Sequence, residues 1–415
     1  MQSFKVRFRI YDLLFYLLLV FSFYYTRNML CRLMMVVFFG YTVLQMIARK
    51  ERIPFSFYYI GFGLFILYGF VNILLGHTIY PSVARKMVIS LALNFLMIFS
   101  IVEYIHMAKD VTRVLRITEF GIFSTALVVV VMSIGTITRG RLGGGTEINS
   151  NMLAMLCVYG FGLSRYLRKV GKISQLSSWG RIGFYILVIL LTGSRKGLLM
   201  IFISLMVIQF MQEKGKLLQN LVVVVGTVAI VFVLIMNVPA LYNIIGVRVE
   251  NMFLALSGGN STEASLNDRK QLVEMGWEYI KEKPWFGYGY DCFKMVSGIG
   301  AKGYVKPGAV GYYSHNNYIE LLFGGGIIGF ALYYLPVLHL LRKLWIGLRK
   351  HPCMCYLLAV MVSKLAMEYV YVSYYERVDA YIVAIILGCA LFAENVENQK
   401  RVDIKTPESE EKSVE

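Results

Sequence analysis

Apolar residues run along this chain in blocks of about 15–22, the length a helix needs to cross a hydrocarbon layer of about 30 Å. Strands of a membrane β-barrel would be about 10 residues long and would alternate, which these blocks do not. The pattern predicts twelve helical spans, at residues 10–26, 29–48, 57–75, 87–104, 118–136, 149–164, 182–193, 197–211, 217–238, 316–340, 354–372 and 378–393. Between the ninth and tenth spans the pattern breaks. Residues 239–315 form a polar island that contains NDRKQLVEMGWEYIKEKPWFGYG and closes in YSHNNYIELLFGGGIIG. The expected architecture is an all-α polytopic membrane protein with one large loop outside the membrane. Residues 1–180 form an N-terminal bundle, 181–393 form a second membrane region that includes the loop, and 394–415 form a charged, unstructured cytoplasmic tail.

Composition agrees with this reading. The chain is 57% hydrophobic and 16% charged, with a mean hydropathy of +0.61. A single soluble core could not hide that much apolar surface. The net charge of +17 is spread over short loops and forms no continuous basic patch, which argues against a nucleic-acid partner. Topology accounts for it instead. With a cytoplasmic N-terminus, the loops near 49–52, 108–116, 165–172, 213–216 and 341–350 are inner and rich in Lys and Arg, and the other short loops are poorer. The 239–315 loop then falls outside. This orientation depends on a hairpin at GSRK. If 182–211 were one helix, the span count would be eleven and the loop would move inside, with Arg195 and Lys196 buried mid-bilayer at several kcal/mol each. The first span has a basic start and no small-residue cleavage site, as expected of a retained anchor. Of the six cysteines only Cys292 lies in the large loop, and Cys353-x-Cys355 is not a zinc spacing.

Three polar positions stand out. Arg195, in TGSR, offers a rigid fork of donors suited to phosphate oxygens. The free N–H groups of the following helix would point at the same place, and Thr192 and Ser194 add hydroxyls. Arg269 is expected in the first turn of an amphipathic helix capped by Asn267 or Asp268, with Leu272, Val273, Gly276, Trp277 and Ile280 on one face. There it opposes the helix dipole and invites an anion. His315 stands where the next helix begins, so the dipole should hold it neutral and ready to accept a proton. Asn316, Asn317 and Glu320 follow it. The loop TRGRLGGGTEINSN, with Arg139 and Arg141, is a candidate substrate-contact loop. Gly324–Gly326 suit close helix packing, and Lys364 and Glu368, at i and i+4, should pair. No metal-ligand spacing is present.

LTGSRKGLL, the loop helix with its Arg, KPWFGYGYDCF and YSHNNYIELLFGGGIIG together resemble the O-antigen ligase and O-antigen polymerase family. The shared pattern is a T-x-S-R hairpin and a large outer loop. In that loop come an Arg-bearing helix, a Pro-x-x-Gly-x-Gly-x-x-x-Phe turn (Pro284, Gly287, Gly289, Phe293) and a terminal His-Asn with a Glu soon after. The resemblance covers about 180–340. It implies an all-helical, lipid-carrier type of glycosyltransferase in the bacterial cytoplasmic membrane, with its site outside. Such an enzyme takes a glycan from a polyprenyl diphosphate and passes it to a sugar hydroxyl on another repeat (a polymerase) or on a lipid A core (a ligase). It uses no cofactor. On this resemblance Arg195 and Arg269 are diphosphate ligands and His315 activates the acceptor. Thr192, Ser194, Asn316, Asn317, Glu320, Arg139 and Arg141, which stand beside these residues or in the Gly-rich loop, are expected as substrate contacts. The implied partners are the lipid-linked oligosaccharide, the acceptor glycan, membrane lipid, and flippase and chain-length-regulator proteins. A polysaccharide flippase is the rival from another class. It should show charges lining a path and a repeat between halves, whereas here the polar residues gather in one loop.

Overall fold

The computed structural model describes residues 9–24, 28–50, 56–135, 141–143, 146–212, 216–256, 264–300, 303–306 and 308–405. Its helices in chain order are α1 (Ile10–Tyr24), α2 (Met29–Arg49), α3 (Phe57–Leu74), α4 (Pro81–Ala108), α5 (Val111–Ser133), α6 (Ser150–Lys169), α7 (Gln175–Leu191), α8 (Arg195–Gln212), α9 (Leu217–Asn237), α10 (Pro239–Leu241), α11 (Val247–Leu256), α12 (Ala264–Glu282), α13 (Asn317–Gly347), α14 (Cys353–Met367) and α15 (Arg377–Lys405). A π-helical stretch, Tyr242–Gly246, joins α10 to α11, and a small antiparallel pair, β1 (Ile299–Gly300) and β2 (Gly303–Tyr304), lies in the polar region.

Each of the twelve predicted segments has a helix. The sequence supplies local starts for several of them: Asn28, Ser56, Asp110, Asn149 and Ser174 each cap a helix with a side-chain oxygen. Among the described residues, seven helices are long and apolar enough to cross a membrane: α2, α3, α4, α5, α8, α9 and α13. Three more, α1, α7 and α14, are apolar but only 15–17 residues long, about 22–26 Å at the α-helical rise. The protein is thus an all-α membrane protein with several spans. One boundary differs from expectation. The backbone of α15 stays helical to Lys405, where the sequence predicted an unstructured tail from 394. Ala, Glu, Gln, Lys and Arg in that stretch are strong helix formers. Residues 406–415 lie outside the described residues.

The bundle is centred on α4, α6, α8, α13, α14 and α15. Tyr104, Tyr159, Tyr166 and Tyr381 are fully buried in it. α9 lies at the edge and turns Leu218, Val222, Val225, Ile230 and Val233 outward. Two buried charged groups are paired within the bundle. Glu119 of α5 takes Arg181 of α7 and accepts from Ser164 and Tyr185. Lys364 pairs with Glu368 as expected and also donates to Ser373.

The polar region 239–315 is not an open loop. α12 packs on the start of α13, and Leu272, Ile280, Tyr288, Phe293, Ile319 and Phe323 form a second core. The predicted amphipathic face of α12 holds except at Trp277, which is 47% exposed. Gly276 is the point of closest approach, since a Cβ there would stand 2.4 Å from Ile319 Cγ2.

Candidate active site

The T-G-S-R segment forms a tight turn between two helices, which keeps the cations out of a helix interior. α7 closes with Thr192 N donating to Val188 O and Gly193 N donating to Leu190 O. Gly193 has φ +59, and a Cβ there would stand 2.8 Å from Ile244 O. The hydroxyls expected to face a substrate bond to protein groups in the turn and on α6. Thr192 Oγ1 donates to Ile189 O at 2.6 Å. Ser194 Oγ donates to Asn151 Oδ1 at 2.9 Å and accepts from Gly197 N at 3.3 Å. Both residues are buried.

Two arginines from elsewhere brace the turn. Arg141 Nε donates to Thr192 O at 2.7 Å and its Nη2 to Asn151 Oδ1 at 3.2 Å. Arg195 Nη1 donates to Arg248 O at 2.9 Å, and Arg248 Nη1 reaches back to Gly193 O at 3.4 Å. Arg141, Arg195 and Arg248 therefore share one small volume. Burial, then Arg248 and Arg195, pull the Arg141 guanidinium down to about 10. Arg139 lies outside the described residues.

Arg269 belongs to the same end of the bundle, but by a different local route than predicted. α12 is already helical at Ala264, three residues before the expected cap, so Arg269 lies beyond the first turn. The helix dipole acts mainly within the first turn, so it no longer explains the position. What brings Arg269 in is the packing of α12 on α13. Arg195, Lys196 and Arg269 all line one mouth of a cleft of about 900 Å³ between α6, α7, α8, α9 and α14. Its walls are apolar, with Leu198 and Phe202 of α8, Val228 and Phe232 of α9 and Ile182 of α7. It follows α8, whose 18 residues span about 27 Å. Arg165, Arg168 and Trp179 line its far end.

His315 is held at φ +56, a left-handed conformation uncommon for a residue with a Cβ. Its neighbours fix it there. Asn316 is the cap of α13, its Oδ1 accepting from Tyr318 N at 2.9 Å and Ile319 N at 3.2 Å. Asn317 Oδ1 accepts from Ser373 N and Tyr374 N at 2.9 and 3.1 Å, and its Nδ2 donates to Tyr334. Glu320 accepts from Ser314 N at 2.9 Å. All three residues were expected as substrate contacts. All three are buried, and the bonds they make are structural, tying the His315 segment to α13 and to the α14–α15 turn. The Tyr313 ring lies 4.2 Å from that of His315. Burial first, then Arg269 and Lys196, lower the imidazole to about 3. Burial and the two nearby cations thus favour the neutral imidazole.

The Gly-x-Gly turn and the Gly-Gly-Gly of α13 explain each other. α13 breaks at Gly326 (φ +61, ψ −166), which frees carbonyls of the turn before it. Tyr288 N donates to Phe323 O and Gly289 N to Gly324 O, both at 2.8 Å, and Ile327 N donates to Pro284 O at 2.8 Å. The partner of the glycine run is thus the backbone of 284–289 rather than another helix, although Gly329 does face the rings of Tyr68 and Tyr290. Asp291 N donates to Tyr374 Oη at 3.1 Å, so this same segment is pinned to the α14–α15 turn.

Sequence reasoning missed Lys196 and Arg248. Lys196 was legible only as the neighbour of Arg195. Its ammonium donates to Val370 O at 2.6 Å and stands 5.5 Å over the Tyr371 ring. Nothing local marks Arg248, since its place depends on the π-helical stretch before it.

Arg195, Lys196 and Arg269 thus line an apolar cleft, and Arg269 and Lys196 are the charged groups that act on His315. Residues 182–334 match the family model for O-antigen ligase. The match starts in α7, ends within α13 and contains Arg195, Arg269 and His315. The resemblance read from the motifs therefore holds over that stretch, and it carries glycan transfer of the O-antigen ligase or polymerase type. No curated protein matches the chain.

Proposed function

We propose that this protein transfers a glycan from a polyprenyl diphosphate to a sugar hydroxyl at the outer face of the bacterial cytoplasmic membrane, polymerising oligosaccharide repeats of an envelope polysaccharide. It crosses the membrane twelve times in this reading. The observation that carries it is the cleft: apolar walls for a polyprenyl tail, with Arg195 and Arg269 at one mouth for its diphosphate and His315 beside Arg269. The acceptor hydroxyl attacks the anomeric carbon while the bond to the phosphate oxygen breaks. His315, neutral, accepts the acceptor's proton, a contribution of about 10²–10⁴-fold. The electron pair of the broken bond stays on the lipid diphosphate, where the arginines offset the developing charge. Positioning falls to Asn316, Asn317 and Glu320, which fix His315, and to Arg141 and Arg248, which fix the Arg195 turn.

The test is purified protein in lipid with a lipid-linked repeat unit and no nucleotide sugar. Growth of the lipid-linked glycan by whole repeats is the expected result. Transfer only to a lipid A core would make the enzyme a ligase with the same site. Movement of the intact lipid-linked repeat between leaflets without any new glycosidic bond would make it a flippase and overturn the reading.

A further inference from the structure

Lys196 is partly buried, and among the described residues no carboxylate pairs with it. Its ammonium is seated on a neutral carbonyl, Val370 O, and it lines the cleft mouth together with Arg195 and Arg269. Gathering like charges in a partly desolvated place is unfavourable, and an anion that visits the mouth reverses the sign of that interaction.

The cations also divide. Arg141, Arg195 and Arg248 are tied to the 192–195 turn. Lys196 is tied to the α14–α15 turn, three residues before Ser373, whose N–H is held by Asn317, two residues after His315. His315 in turn has Arg269 and Lys196 as its charged neighbours. We propose that Lys196 is a third ligand of the donor diphosphate, and that with Arg269 it holds the phosphate bonded to the sugar, next to His315, while Arg195 holds the lipid-side phosphate. This assignment rests on the glycan-transfer reading above.

A purely structural Lys196 would act through Val370 and would alter turnover by shifting His315, leaving anion affinity alone. Binding of inorganic diphosphate, read as protection of the full-length protein in nanodiscs against thermal unfolding, separates the two roles. Lys196→Met is expected to lose about 10- to 100-fold in diphosphate affinity, the size of one charge-assisted contact. It should also lose turnover at saturating donor, while Lys196→Arg retains part of both. Unchanged diphosphate affinity in a folded Lys196→Met variant overturns the proposal, whatever happens to turnover. If Lys196→Met does not fold, Lys196→Gln takes its place: the same 10- to 100-fold loss of diphosphate affinity is expected, and unchanged affinity overturns the proposal. Arg269→Ala is the control for the underlying reading. Loss of diphosphate binding there, with binding intact in Lys196→Met, removes only Lys196. Full activity in Arg269→Ala removes the site itself.

Discussion

Arg195 has two duties in the proposed mechanism. Its Nη1 holds Arg248 O at 2.9 Å, which aims the rest of the guanidinium, and only a planar fork can keep that bond and still contact phosphate. Arg195→Lys keeps the charge and loses the geometry. Its turnover is expected to fall roughly 10- to 1000-fold, on the order of 1.4–4 kcal/mol of transition-state stabilisation, at equal protein level. Steady-state kinetics on the lipid-linked donor check this. His315→Ala should abolish transfer and leave donor binding in place. The pH dependence is more specific. With the free-enzyme imidazole lowered to about 3, kcat/KM should not fall until well below the ordinary histidine range near 6.5. A bound diphosphate offsets Arg269 and Lys196, so the imidazole in the complex is easier to protonate, and kcat should fall at a higher pH than kcat/KM. The same shift enters stability. Above about pH 6.5 His315 is neutral in both folded and unfolded chains, and its contribution is fully present. As pH drops from about 6.5 toward 3 the unfolded chain binds a proton that the native one does not. Stability then declines by up to about 1.4 kcal/mol per pH unit, and His315→Gln should show a flatter acid limb.

Among the elements, the contact between 284–289 and α13 is the most demanding. Gly287 has φ +68, and a Cβ there would stand 2.5 Å from Phe323 O. At Gly326 (φ +61) it would stand 2.2 Å from Trp285 O. Either change to Ala meets backbone that cannot give way. The left-handed conformation alone costs about 1–3 kcal/mol for a residue with a Cβ. Gly287→Ala and Gly326→Ala should therefore lower the thermal midpoint clearly, whereas Gly63→Ala, with nothing within 4 Å, should leave it nearly unchanged. The motif Pro-x-x-Gly-x-Gly was legible as a turn. Its partner was not, because the breaking of α13 at Gly326 is visible only once the freed carbonyls meet Tyr288 N and Gly289 N. α12 tells a similar story. Its apolar face could be read from Leu272, Gly276 and Ile280, but its packing against Ile319 of α13 could not.

For the whole molecule, the orientation across the membrane is the open proposal, argued from Lys and Arg in the short loops. All six cysteines are free and buried, so a single introduced cysteine should give a clean signal. Tyr304, 79% exposed in β2, and Leu176, 84% exposed at the start of α7, fall on opposite sides in the twelve-span reading. Tyr304→Cys should react with an impermeant thiol reagent on intact spheroplasts, and Leu176→Cys only after lysis. The reverse pattern would place the 239–315 region in the cytoplasm, where no outer-leaflet glycan could reach it.

Hydrophobic block length and helix-capping residues are local properties, so the sequence alone determined the twelve helices, the break at Gly193 and the pairing of Lys364 with Glu368. The residue types suited to a diphosphate and a sugar hydroxyl were legible too, at Arg195, Arg269 and His315. What the tertiary structure decided is which polar groups face the cleft and which are spent holding it. Thr192, Ser194, Asn316, Asn317 and Glu320 stood beside those three residues in the chain and were read as substrate contacts, yet each bonds to nearby protein groups. Lys196 and Arg248 carried no signal of their own and stand at the site. Most buried polar atoms are hydrogen-bonded, and whether the partner is protein or substrate depends on how α8, α11, α12, α13 and the α14–α15 turn come together, a relation between distant segments that no local stretch of sequence contains.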